Sequence, residues 1–355
     1  MLVEPASLCW LAGRKTEARD GVTWAAELER WSALRAVVRD GGPGLSKGIE
    51  LVRARRREQK GADLEDGLDV FHTLREGGRA LRATWAEASR ALERAEVAQQ
   101  RFEERGRQGQ SNSGHGAPLR RLWAAAERAF VQAEGAEAAW GRACSALDLF
   151  TPEGRLNSRP QAEAVVAAAL PDLRGAAWAK VRRLLSRPQS FTFLDQAARR
   201  LAELGLEEAT LSALLDLEGL RRQPWRGQGP TPAAAVVRGV ALARVVQLEK
   251  TSPEWRDQAA EVSRVLRGVW RASSLVECLN SVARMQQSRH RKMTQGLLDL
   301  KRLYWNLRRF RTGHRKDQTP YSLLGLKVPD LSFWEFLKLT PEELREQLSA
   351  TEHAT

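Results

Sequence analysis

Asp40 has the local setting of a carboxylate that could bind a metal. It ends the run LRAVVRD (34–40), which reads as a buried strand, and Gly41, Gly42, Pro43 and Gly44 follow as a tight turn. Cleavage and transfer of a phosphodiester asks little covalent work of a protein. It asks for two divalent ions held roughly 3.5–4 Å apart, clamping the attacking and leaving oxygens. Mg²⁺ or Mn²⁺ in that role prefers carboxylate oxygens, so several acidic side chains must converge from rigid elements. Glycines just past the strand leave room for a DNA backbone. Asp is also favoured at strand-to-helix turns for purely local reasons, so on local sequence alone a structural turn is the better reading of Asp40.

The second group of interest is basic. Arg284, Arg289, Arg291, Lys292, Lys301, Arg302, Arg308, Arg309, Arg311, Arg315 and Lys316 crowd one stretch, with Asp299 and Asp317 the only acids nearby. Phosphate contacts by Lys and Arg give salt-sensitive affinity independent of sequence, so this stretch is the expected DNA grip; a solvated helix face is the plainer alternative. Trp225 lies in the basic Pro/Gly loop RRQPWRGQGPTP (221–232) and could stack on an unpaired base. Trp24, Trp31, Trp85, Trp123, Trp140, Trp178, Trp270 and Trp305 instead sit at helical packing positions and are expected in the core.

The bulk composition agrees with a polyanion as partner. The chain has 355 residues, a formal charge of +13 and a pI near 10.3. Nucleic acid is the leading candidate for such a balance, and an anionic membrane surface is the weaker one. Cys9, Cys144 and Cys278 form no zinc spacing and no CxxC pair, which suits a reducing, cytoplasmic setting. The opening MLVEPASLCWLAG holds Glu4 and Pro5 and has no basic start, so it does not read as a signal peptide. No apolar run approaches membrane-spanning length.

The elements that must position these residues change character along the chain. Residues 6–13 and 34–40 read as strands, with a helix between them capped by Thr23 and a basic helix from Leu45 to about Arg57. LDVFHTL (68–74), which holds Asp69 and His72, reads as a further strand, giving an α/β pattern. From about Glu76 to Val269 the texture is Ala, Leu, Glu and Arg at helical spacing, six or seven helices, with RGRQGQSNSGHGAP (105–118) connecting two long ones. Thr251 is a plausible cap ahead of Pro253. A helix opening at Ser273 carries Glu277, a basic helix begins near Thr294, and Thr340 with Glu343 forms a capping box.

Read together, VVRDGGPGLSKGIE, LDVFHTLRE, a long helical stretch and WRASSLVECLNSVARMQQSRHRKMTQGLLDLKRLYWNLRRF resemble, in order, the elements of bacterial insertion-sequence DDE transposases. The Ser-Ser-x-Val-Glu-x-x-Asn helix, the basic helix with Tyr and Asn, and the ending PYSLLGL are the closest match. The resemblance implies an RNase H-like mixed sheet, incomplete at the N-terminus and interrupted by a large all-α insertion, in a chain that is helix-rich overall. It implies a catalytic domain in two pieces, 1–76 and 269–326, an insertion at 77–268 and a tail at 327–355 with a short helix. It makes Asp40 the second and Glu277 the third catalytic carboxylate, both metal ligands, with Asn280 one turn beyond Glu277. Asp69 and His72 match the Cys-or-Asp, two residues, then His of Mutator-like and hAT-type transposases, which places them near the active site. A strand-end Asp and a satisfied His at a helix start is the structural alternative.

The same resemblance places a first Asp on a strand ahead of LVEPASL. Asp20 is the only Asp before Asp40, and it sits in a turn leading into a helix, so it is not that ligand. The expectation is a chain without its first carboxylate, from a late start or a decayed gene, inactive or weak as written. The expected activity is Mg²⁺-dependent DNA strand cleavage and transfer, by a homo-oligomer on transposon ends and target. The rival readings are a catalytically dead DNA-binding remnant and a helical interaction protein.

Overall fold

The computed structural model describes residues 1–222, 232–272, 274–289 and 293–353. The chain is 66% helical. In chain order the elements begin with β1 (Leu2–Glu4), β2 (Cys9–Ala12), α1 (Gly21–Glu29), β3 (Ala36–Arg39), α2 (Pro43–Glu58) and β4 (Glu65–Leu68). There follow α3 (Val70–Arg107), α4 (Gly116–Ala146), α5 (Arg159–Ala169), α6 (Ala179–Leu185), α7 (Thr192–Ala202), α8 (Glu208–Arg222), α9 (Pro232–Thr251) and α10 (Trp255–Arg267). The last are α11 (Ser274–Arg289), α12 (Gln295–Leu307), α13 (Pro320–Leu323), α14 (Phe333–Phe336) and α15 (Pro341–His353). Among the described residues no helix is long and apolar enough to cross a membrane.

Two compact units divide the chain. One holds residues 1–34, 42–64 and 272–355; the other holds 35–41 and 65–271. Strands β3 and β4 therefore belong with the helical residues that follow them. Each unit has one two-stranded sheet among its described residues, β1 with β2 antiparallel and β3 with β4 parallel.

In the larger unit, α3 and α4 lie side by side through small residues. The buried positions of α3 are Val70, Thr73, Gly77, Ala80, Thr84, Ala88, Ala91 and Ala95, a three-and-four spacing that keeps one stripe on the partner. Alanine there brings the backbones close and spends no side-chain entropy. Around them Trp140, Trp178, Phe191, Phe193 and Leu201 fill the core, and the Trp178 indole N–H donates to the Thr84 hydroxyl at 2.9 Å. Trp140 and Trp178 are thus core residues as expected, whereas Trp123 is 40% exposed. Cys144 is half-buried in the same unit, and burial pushes its thiol up to about 11.

Gly77 shows how tight this seam is. A Cβ there would fall 2.0 Å from the Trp140 ring, while one on the next residue, Gly78, meets only an Arg82 nitrogen at 3.7 Å. Alanine normally gains about 1 kcal/mol over glycine inside a helix. Gly78→Ala is expected to raise the melting temperature by that mechanism. Gly77→Ala is expected to lower stability by about 1–3 kcal/mol, since the indole must leave its packed position. Thermal denaturation of the two variants side by side checks the opposite signs.

In the smaller unit, the β1–β2 hairpin packs on α11 and α12 through Trp10, Leu279 and Leu298, with Met1, Val3 and Trp305 at the margin. Cys9 is buried in β2, and burial pushes its thiol up to about 11. Helices α1 and α2 cross closely at glycines: a Cβ at Gly44 would lie 1.8 Å from the Arg19 carbonyl oxygen, and one at Gly48 2.5 Å from Trp24 Cβ.

Several sequence expectations shift. Helix α1 is capped by Asp20, whose carboxylate accepts from the Thr23 N–H at 2.8 Å, so Thr23 lies inside the helix. That backbone hydrogen bond holds the Asp20 carboxyl below the usual range. Segment 68–74 is not a strand. Strand β4 ends at Leu68 and α3 starts at Val70, because Asp69 caps the helix and diverts the backbone. Thr251 does not cap α10; it ends α9, its hydroxyl bonded back to the Gln247 carbonyl. Helix α12 starts where expected, with Thr294 as its cap, and Thr340 with Glu343 makes both bonds of a capping box, at 3.2 and 2.7 Å. Ser273 lies outside the described residues.

Candidate functional site

The parallel pair β3–β4 sets the geometry around Asp40. Its register runs from Ala36 opposite Glu65 to Arg39 opposite Leu68, and the Asp69 N–H continues it by donating to the Arg39 carbonyl at 2.8 Å. Asp40 and Asp69 therefore occupy the same level, each one residue past the carboxyl end of its strand. Neighbouring strands lie about 4.8 Å apart. Open parallel sheets characteristically bind ligands at that end.

The two carboxylates differ in environment. Asp40 is exposed, and Asp69 is 2% exposed. One Asp69 oxygen accepts from the His72 main-chain N–H at 3.2 Å and the other contacts His72 Nδ1 at 2.9 Å. Asp69 thus does two jobs with one carboxylate: it caps α3 and it orients the imidazole. With Nδ1–H donating to a carboxylate, the ring's acceptor is Nε2. His72 is half-buried, with the half-exposed Phe71 ring edge-on at 5.9 Å. The i to i+3 spacing of Asp69 and His72 that suggested chemistry is also the spacing of a helix cap, and the cap is what the structure builds.

Beneath this end lies a buried ion pair that sequence reading missed. Arg39 Nε donates to Asp66 Oδ1 at 2.7 Å and Nη2 to Oδ2 at 2.6 Å, a two-pronged contact with both side chains under a tenth exposed. Arg39 Nη1 also reaches the Asp40 carbonyl at 3.2 Å. The Thr192 hydroxyl of α7 donates to the Asp66 carbonyl at 2.9 Å. Asp40 is therefore presented from a backbone held by a guanidinium that is itself fixed. The only sequence signal was an Arg inside an apolar run, which has many explanations.

Gly44, expected to leave space for a DNA backbone, has that space filled by the Arg19 carbonyl. Gly41 is not tightly enclosed; a Cβ there would make ordinary contact with Leu184 at 3.4 Å.

In the other unit Glu277 is half-buried in the first turn of α11, where the helix dipole favours an anion, and Asn280 is half-buried one turn on. Arg284 is exposed on the same helix. Arg289 belongs to α11, but its side chain is not described; Arg291, Lys292 and Trp225 lie outside the described residues. Among the described residues no group of three or more His, Cys, Asp or Glu side chains is arranged to hold a metal ion.

Helix α12 uses its expected DNA-binding residues in two ways. Its inward stripe serves the backbone of β2 and its flanks. The Asn306 amide accepts from the Trp10 N–H at 2.9 Å and donates to the Trp10 carbonyl at 3.0 Å, as a neighbouring strand would. Gln295 does the same between the Lys15 N–H and the Gly13 carbonyl, each at 2.9 Å. Arg302 donates to the Leu11 carbonyl at 3.0 Å and pairs with Asp299 at 3.4 Å; Trp305 Nε1 donates to the Leu8 carbonyl at 2.9 Å. Arg309 donates to the Asp317 carbonyl at 2.5 Å and pairs with Asp330. Arg302 and Arg309 are thus bonded within the unit. Lys301 lies on the next face round, Arg308 just past the helix end, and neither makes an ion pair with the described residues; the Arg308 guanidinium sits 5.2 Å from the Trp305 ring centre.

No family model, curated protein or solved structure matches this chain.

Proposed function

We propose that the chain is of the DDE transposase type, built for metal-dependent phosphoryl transfer on DNA, with Asp40 and Glu277 as two of the carboxylate ligands. The observation that carries the reading is the shared level of Asp40 and the Asp69–His72 pair, past the carboxyl ends of two parallel strands. The RNase H-like reading of the fold belongs to the same proposal. It rests on chain order: antiparallel hairpin, helix, parallel strand leading into Asp40, helix, second parallel strand.

The donor chemistry suits a hard ion, since Asp40 and Glu277 offer carboxylate oxygens and Mg²⁺ or Mn²⁺ prefers them. When bound, such ions activate the attacking oxygen and neutralise charge on the phosphate. The chain's own residues do the positioning. Arg39 steadies the Asp40 backbone, and Asp69, with both oxygens on His72, orients the ring so that Nε2 can accept a proton from an attacking group or water.

Localised hydroxyl-radical cleavage tests the ligand assignment without requiring turnover. Fe²⁺ replacing Mg²⁺, with ascorbate and peroxide, is expected to cut the polypeptide near residue 40 and near residue 277. Asp40→Asn is expected to abolish both sets of cuts, and excess Mg²⁺ to suppress them. Absence of cuts at either place in the unmodified chain rejects the proposed ligand set.

A further inference from the structure

Helix α12 and the short helix α14 form an exposed aromatic surface in the smaller unit. Tyr304 is 49% exposed and Trp334 is 69% exposed. Phe333 joins them, edge-to-face with Tyr304 at 5.2 Å and with Trp334 at 5.1 Å between ring centres. The Ser332–Glu335 capping box fixes the start of α14, so Trp334 is held out rather than trailing from a loop. Leu300 lies one turn from Tyr304, and Leu337 one turn from Trp334, both exposed.

The surroundings say what such a surface would bind. Lys301 and Tyr304 share a face of α12 by their spacing, about 100° round from the stripe that grips β2, and Arg308 follows as the residue just past the helix end. Lys338 stands one turn beyond Trp334. From Met293 to Thr340 the chain carries nine Lys and Arg against four acids. Three of those acids are engaged, Asp299 by Arg302, Asp330 by Arg309 and Glu335 by the Ser332 cap. Protein–protein interface cores enrich aromatic residues but deplete lysine. Aromatic rings set among an excess of cations are instead the makeup of single-strand platforms, where bases stack on the rings and the cations follow the phosphates.

We propose that Tyr304 and Trp334 form a stacking platform for unpaired nucleotides of a DNA strand, with Lys301, Arg308 and Lys338 contacting its phosphates. The proposal rests on the reading that the chain acts on DNA. It adds a preference for melted or frayed strands.

Fluorescence anisotropy with a labelled oligo-dT and with a hairpin duplex of equal length tests it. Trp334→Leu is expected to weaken oligo-dT binding about tenfold, within what one base–aromatic stack supplies, and to change duplex binding by less than about twofold. Trp334→Phe should restore most of the loss. Lys301→Gln with Lys338→Gln should weaken oligo-dT binding and flatten its salt dependence. Wild-type protein that binds both probes while Trp334→Leu matches it on both overturns the platform and leaves the DNA reading intact. A change in the sedimentation mass of the DNA-free protein on Trp334→Leu also overturns it, making the surface a protein interface. Wild-type protein that binds neither probe overturns both readings.

Discussion

Replacing Asp66 by alanine is expected to lower stability in equilibrium denaturation by about 3–5 kcal/mol, the cost of stranding a charge inside a protein. Its partner is Arg39, and both residues are under a tenth exposed. Arg39→Met alone should cost a similar amount. The double variant Arg39→Met, Asp66→Leu should recover most of the loss, because packed apolar side chains of similar volume often replace a buried ion pair without penalty. Additive single losses in the double variant would show that the pair is not coupled. The double variant also separates folding from positioning. It lacks the contact from Arg39 to the Asp40 carbonyl. Restored stability together with lost Fe²⁺ cutting at residue 40 would assign Arg39 a positioning role; restored stability with cutting intact would reduce the pair to scaffolding.

That ion pair also marks the limit of what could be read from sequence. Strand β3 was legible because Ala36, Val37 and Val38 form an apolar run closed by Asp40 and glycines. The cap at Thr340 was legible because its partner lies three residues away. Strand β4 was not. Its sequence, Glu-Asp-Gly-Leu, is polar, and Asp66 can be buried there only because its partner comes from 27 residues upstream. Local pattern instead favoured LDVFHTL, whose apolar residues belong to the start of α3 once Asp69 caps it. Gly44 misled for a related reason: missing side-chain volume was evident, but its occupant, the Arg19 carbonyl, is a tertiary fact. For the candidate site, Asp40 and the Asp69–His72 pair could be picked out by type and spacing. Their common level could not, since register depends on how two segments 26 residues apart pair.

The basic helix α12 shows the same limit, and Asn306 makes it measurable. Asn306 is 1% exposed, and its amide satisfies both main-chain polar groups of Trp10, a residue 2% exposed. Asn306→Ala leaves a buried N–H and a buried carbonyl without that partner, at about 1–3 kcal/mol each. The expected loss is therefore about 2–5 kcal/mol, with faster hydrogen exchange of the Trp10 amide. Asn306→Asp should be at least as damaging. It keeps the acceptor for the Trp10 N–H, but it sets a second acceptor against the carbonyl and buries a charge. An unchanged Trp10 exchange rate in Asn306→Ala would show that the amide does not hold this strand. Asn306 bears on function because the inward stripe and the Lys301–Tyr304 face are parts of one helix. If Asn306, Gln295 and Arg302 anchor β2, then Arg302→Gln should lower stability while leaving the salt dependence of DNA binding unaltered. Lys301→Gln should do the reverse. The basic stretch then divides into cations that hold the hairpin and cations that meet phosphate, a division that composition alone cannot express.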